Sequence, residues 1–166
     1  MSTLARMWRH LWMTSAAGRR AFPEETLKAI EAAIAEGETR HRAELRLVIE
    51  PGLDLQAVLN GMTARDRARE LFAQYGVWDT EENCGVLVYI NLADHQVEIV
   101  ADRGVGKTVP AADWQHACRT MTQGFARGDY HHSTLAALAE LNALLQRHYP
   151  DDGSLRNQLS DRPVML

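Results

Sequence analysis

The stretch Val86-Leu87-Val88-Tyr89-Ile90-Asn91-Leu92 constrains the fold of this chain more than any other. It is apolar at nearly every position. A strand with one wet face alternates apolar and polar residues, so a run without alternation belongs at the centre of a sheet, covered on both faces. Ala93-Asp94-His95 makes a short turn, and Gln96 to Asp102 returns as the partner strand of a hairpin. A sheet buried on both sides needs a layer of helices on each.

The rest of the chain supplies those layers. Pro23 followed by Glu24 and Glu25 suits a helix N-terminus, and Leu27, Ile30 and Ile34 give that helix an inner face as it runs towards His41. Glu44 to Glu50 alternates, with Leu45, Leu47 and Ile49 on one face, until Pro51-Gly52 ends the strand. Asp54 is placed to cap a second helix, in which Leu55, Val58, Leu59, Met62, Ala68, Leu71, Phe72 and Tyr75 keep a helical period up to Gly76. Trp114, Ala117, Cys118, Met121 and Phe125 line a third helix. Leu135, Leu138, Ala139, Leu145 and Tyr149 line a fourth, with Ser133 as its expected N-cap. The expected fold is an α/β protein, a three-layer α/β/α sandwich with a small central mixed sheet. Its domain spans 22–150, preceded by an amphipathic arm (1–21) and followed by a tail (151–166) expected to be disordered.

The length of 166 residues suits one domain, and 46% hydrophobic with 24% charged residues reads as an ordinary globular protein. A net charge of −4 argues against a nucleic-acid partner. Cys84 and Cys118 are too few for a disulfide framework and read as buried free thiols, consistent with the cytoplasm. No stretch approaches the roughly 18 apolar residues that span a bilayer, and no signal peptide is expected.

In the arm, Leu4, Met7, Trp8, Leu11 and Trp12 fall at helical spacing, with Arg6, Arg9 and His10 filling much of the other side. The primary expectation is that Leu4, Trp8, Leu11 and Trp12 are buried against the domain or a sister subunit. A peripheral contact with a membrane and a disordered arm are the alternatives. The expected partners are therefore an unidentified protein or a second copy through the arm.

Connectivity places a candidate site. A helical connection of about 20 residues makes the first and second strands parallel, and the short turn makes the third antiparallel to the second. The starts of the first two strands, the end of the third and the C-terminal turn of the first helix then share one end of the sheet. Glu38, His41, Glu44, Asp79, Thr80, Glu82, Asn83, Asp102 and Arg103 meet there. Glu38, Glu44, Asp79, Glu82 and Asp102 are the candidate ligands of calcium or magnesium, hard cations that take oxygen donors. The alternative is a solvated sheet end with Arg46 or Arg103 paired to the acids. No nucleophile-base pair accompanies the acids, so a non-enzymatic binding or assembly module is the leading reading. A metal-assisted acid phosphatase is the runner-up, with Arg103 clamping phosphate and His41 as general acid.

Val77-Trp78-Asp79-Thr80-Glu81, Gly85-Val86-Leu87-Val88-Tyr89 and Val97-Glu98-Ile99-Val100-Ala101-Asp102-Arg103-Gly104 resemble the TPM domain family. The likeness runs from about residue 23 to 149. It is greatest to a soluble, non-exported bacterial branch, in which Glu38, His41, Glu44 and Arg46 also recur. The resemblance implies the α/β/α sandwich. Among relatives it implies acid phosphatase activity for some, calcium binding for others, and membrane-protein maintenance around photosystems for others again. Exported relatives carry an acidic residue and a following Asp in the glycine turn. Here Gly104-Val105-Gly106-Lys107-Thr108 has Lys107 and no acid until Asp113, which counts against carrying over their metal site or phosphatase activity.

The same turn is not a phosphate loop. That pattern needs its first glycine at position 101, which is Ala101, and Pro110 spoils a helix starting at Thr108. No nucleotide cofactor is expected. The adjacent His131-His132 reads as a polar loop, and Cys84 as a strand-start residue.

Overall fold

A computed structural model describes residues 2–154 and 157–166. Within the arm expected over 1–21 and the tail expected over 151–166, Met1, Leu155 and Arg156 lie outside the described residues. The helices are α1 (Thr3–Trp12), α2 (Ser15–Ala21), α3 (Glu24–Glu38), α4 (Leu55–Leu59), α5 (Ala64–Gln74), α6 (Arg103–Gly106), α7 (Ala111–Ala126) and α8 (Tyr130–His148). The strands are β1 (Glu44–Glu50), β2 (Gly85–Asn91), β3 (Gln96–Ala101) and β4 (Val164–Met165), in the sheet order β3-β2-β1-β4.

β1 and β2 are parallel, with Glu44 opposite Gly85, and β3 is antiparallel to β2, with Val86 opposite Ala101. The helical connection and the short turn dictated both orientations. Glu44 and Asp102 therefore flank the same sheet end, where the Glu44 amide donates to the Cys84 carbonyl at 3.1 Å and the Asp102 amide to Gly85 at 2.9 Å.

Alternation along the strands divides the core in two. Leu45, Leu47, Ile49, Val86, Val88 and Ile90 face a layer of α3, α7 and α8, packing with Ile30, Ile34, Met121, Phe125, Leu138 and Leu141. Val48, Leu87 and Tyr89 face α5 and pack with Ala64, Ala68 and Leu71. Every residue of β2 is buried, as its unbroken apolar run requires. This is a three-layer α/β/α sandwich.

Four expectations are corrected. The continuous helix from Asp54 to Gly76 is instead α4 and α5, because Gly61 takes φ +74° and Thr63 caps a new start, accepting from the Asp66 amide at 3.1 Å. The N-cap of α8 is Asp129, which accepts from the His132 amide at 3.1 Å. Ser133 lies one turn inside α8, where it donates back to the Asp129 carbonyl and packs against Gly124 of α7.

The tail is ordered where described. Val164 and Met165 pair in parallel with β1, and the Leu166 amide donates to Ile49 at 2.9 Å. Arg46 donates to the carbonyls of Ser160 at 2.7 Å and Arg162 at 3.0 Å, and Glu44 accepts from the Leu159 amide at 3.0 Å. These side-chain-to-backbone bonds leave no hydrophobic period behind.

The arm is helical, but its expected face is not buried on the domain. Leu4, Trp8, Leu11 and Trp12 are all exposed. The opposite face docks instead. Arg6 and Arg9 reach Asp94 at 2.7 and 3.4 Å, and His10 is buried with Nδ1 accepting from the Leu53 amide at 2.9 Å. Burial works against the Asp94 carboxylate, but Arg6 and His10 outweigh it and hold its pKa below the usual range.

Candidate functional site

At the strand-start end of the sheet lies a half-open cavity of about 590 Å³. The end of α3 contributes Glu38, the loop into β1 contributes His41 and Arg42, and β1 opens with Glu44. The loop before β2 adds Glu81, Glu82 and Cys84, and the tail adds Gln158 and Asp161. The ordered tail turns a bare sheet end into a walled pocket.

Glu38 is half-buried beside Glu44 and Asp161. Its Oε1 accepts from the Leu45 amide at 2.7 Å, and its carboxyl shares a hydrogen bond with Asp161. Burial first, then the neighbouring Glu44 and Asp161, pushes its pKa up to about 9 even though the Leu45 amide works downwards. Glu38 therefore keeps its proton at neutral pH. Burial also raises the pKa of Glu44, against the Leu159 and Gln158 amides that favour its charge. Glu82 faces a different environment. Arg42 Nη1 lies 2.9 Å from its Oε2, the Tyr149 hydroxyl donates to the same oxygen at 2.9 Å, and the Arg42 guanidinium sits 4.2 Å over the Tyr149 ring. The cation paired with the acids is thus Arg42. Arg46 is occupied with the tail, and among the described residues no ion pair to these acids involves Arg103.

His41 forms part of the wall, but it is not placed as a general acid. It is 1% exposed, with Nδ1 3.1 Å from the Ala43 carbonyl and Nε2 3.1 Å from Asn142 Oδ1. The Asn142 amide nitrogen donates to Ala33 at 3.0 Å, which fixes the orientation of that side chain. Burial lowers the His41 pKa despite these two contacts. The residue ties the end of α3 and the start of β1 to α8. Cys84 is buried, its pKa raised first by burial, and its thiol contacts Thr80 Oγ1 at 3.6 Å, an unreactive setting.

Three expected members stand apart. Asp102 follows β3, two strands from β1, and strands lie about 4.8 Å apart, so it is about 10 Å across the sheet end. Its Oδ1 caps α6 by accepting from the Arg103 amide at 2.7 Å. Arg103 is exposed, and Asp79 is exposed in the turn after α5. Neither lines the cavity. Thr80 is buried and accepts from the Cys84 amide at 2.9 Å, and exposed Asn83 takes φ +52°. The expected five-carboxylate cluster thus reduces to Glu38, Glu44 and Glu82, with Glu81 and Asp161 added. Asp161 was hidden because its segment has no period. Among the described residues, no group of three or more His, Cys, Asp or Glu is spaced to hold a metal ion.

A mixed four-stranded sheet between helical layers, with an acidic cavity at the strand-start end, defines the structural class. The TPM domain family matches residues 18–144, and the chain belongs to that family. Among solved structures, the chain is similar to the BA42 protein of the psychrophilic bacterium Bizionia argentinensis, determined by NMR. The TM-score is 0.75 at 21% identity, over 86% of this chain and 93% of that one. At that identity the likeness concerns the fold. No curated protein matches the chain significantly. Among the described residues no helix is long and apolar enough to cross a membrane.

Proposed function

We propose that this TPM domain is a non-enzymatic binding module of the cytoplasm whose sheet-end cavity takes a divalent cation. The observation that carries this reading is the convergence of Glu38, Glu44, Glu82 and Asp161 on one cavity wall, with burial and its acidic neighbours pushing the Glu38 pKa up to about 9. A cation entering there replaces the proton and relieves the crowding of the carboxyls. The residues do not fit a metal enclosed wholly by protein ligands, since no three are grouped for it among those described. They fit a hydrated ion held by one or two carboxylates with the rest of its shell water, the habit of magnesium. The two cysteines are unpaired, which accords with a reducing compartment.

The test is calorimetric titration of magnesium and calcium at pH 7 in two buffers of different ionisation enthalpy. Binding accompanied by proton release, with the release abolished in Glu38→Gln, supports the reading. Absence of binding at millimolar concentrations of both ions overturns it. The acid-phosphatase alternative requires a phosphate clamp and a proton donor in the cavity. Of the residues the sequence suggested for those roles, Arg103 is outside the cavity and His41 is buried in its wall against Ala43 and Asn142. The arginine and the protonated carboxyl that do line it, Arg42 and Glu38, are held by Glu82 and by the Leu45 amide. Metal-dependent hydrolysis of a generic phosphate monoester would reinstate that alternative.

A further inference from the structure

The arm presents its surface the reverse way from an ordinary surface helix. In α1 the polar face is turned inwards, where Arg6, Arg9 and His10 converge on Asp94 at 2.7, 3.4 and 3.1 Å. The apolar face is turned out, with Leu4 69%, Trp8 60%, Leu11 52% and Trp12 76% exposed. α4 packs against α1 and leaves Leu55 and Leu59 exposed as well. The ion pairs fix this orientation, so the face is not free to roll onto the domain. Contiguous exposed apolar surface of this kind marks a binding surface.

Charge decides between occupants. The chain has 18 Lys and Arg against 22 Asp and Glu; four of the 18 and none of the 22 fall within the first 21 residues. By sequence the arm is thus +4 and the remainder, with 14 against 22, is −8. Arg6 and Arg9 are paired with Asp94, so the charge the arm offers outwards is that of Arg19 and Arg20. Exposed Arg19 and Arg20 follow directly in α2. A second copy meeting this face across a two-fold axis would bring two basic arms together. An anionic lipid surface meets the arm with opposite charge and repels the acidic body, which orients the molecule arm-first. Tryptophan and leucine on one face, beside arginine, suit the headgroup boundary.

We infer that α1, with α4 beside it, is a peripheral docking surface for an anionic lipid bilayer, on which it lies flat with Trp8 and Trp12 in the headgroup region. At ten residues α1 is about 15 Å long, enough to lie in the interface and too short to span it.

The experiment is co-sedimentation of the full chain with vesicles of mixed phosphatidylglycerol and phosphatidylcholine, and of phosphatidylcholine alone, at low and high salt. The parent should bind the anionic vesicles, less at high salt. Trp8→Ser/Trp12→Ser should weaken binding roughly tenfold or more, and Arg19→Gln/Arg20→Gln should weaken it on anionic vesicles only. These side chains are exposed, so circular dichroism melts should be unchanged. Failure of the parent to bind anionic vesicles, or equal binding by the tryptophan variant, overturns the inference. So does sedimentation velocity showing a parent dimer that Trp8→Ser/Trp12→Ser converts to monomer, which makes a second copy the occupant.

Discussion

Replacing Glu38 with glutamine should stabilise the protein, and by an amount that grows with pH. In the folded chain burial and the neighbouring Glu44 and Asp161 raise the Glu38 pKa from 4.5 to about 9. Between those values the folded state holds a proton that the unfolded state has released, so stability falls as pH rises through the window. Below pH 4.5 both states are protonated and Glu38 costs nothing; above pH 9 its full penalty applies. At pH 7 the window is about half crossed, and 1.36 kcal/mol per unit sets a ceiling of about 3.4 kcal/mol. Glu38 is partly exposed, and solvent screening brings the expected figure to about 1–2 kcal/mol. Glutamine keeps an acceptor for the Leu45 amide and a donor for Asp161 while carrying no charge. Urea unfolding of parent and Glu38→Gln at pH 5, 7 and 9 measures the difference directly. A gain near zero at pH 5 that widens to pH 9 is expected. A pH-independent difference, or a loss of stability at pH 9, refutes the argument, since it would mean that Glu38 is ionised in the fold and stabilised there.

His41→Ala should lower stability by about 2–4 kcal/mol in denaturant melts, since it empties a buried position and leaves Asn142 Oδ1 without its partner. An unchanged midpoint would return His41 to the list of catalytic candidates. Deleting residues 159–166 removes β4 and the partners of Glu44 and Arg46, and should cost about 2 kcal/mol, or about 4–8 °C in Tm. The same deletion removes Asp161, so the Glu38 pKa followed by carbon NMR should fall. Gly104→Ala should cost about 1–3 kcal/mol in thermal melts, because a Cβ there meets the carbonyls of Glu82 and Asn83.

The central fold was legible because it is written in apolar periodicity and connection length. β1 occupies Glu44–Glu50, the stretch that alternates, and the helical crossover fixed its direction relative to β2. The break between α4 and α5 was legible too, in the Gly61 terminator followed by Thr63-x-x-Asp66, but a matching hydrophobic period on both sides masked it. The tail carried one readable sign, the short run Pro163-Val164-Met165-Leu166; the Arg46 and Glu44 bonds that hold it leave no trace in a pattern of apolar residues. The arm shows the limit of amphipathicity. Spacing tells which residues share a face of α1, but only the position of Asp94 in the hairpin turn decides which face meets the body.

The site was half legible for a related reason. Topology assigns a residue to an end of a sheet, which is a line of strands and not a point. Glu38, Glu44 and Glu82 converge because α3, β1 and the loop before β2 are neighbours on the β1–β2 side of that line. Asp102 sits at the β3 edge, where its carboxylate has a local task in capping α6. Strand order separates the two groups, and the order β3-β2-β1-β4 includes a strand from the tail. Adding β4 beside β1 moves the enclosed part of the sheet end towards Glu38 and Glu44, and it brings Asp161 with it. The segment without a hydrophobic pattern therefore determines which of the acids share a cavity, and through Asp161 it helps keep the proton on Glu38.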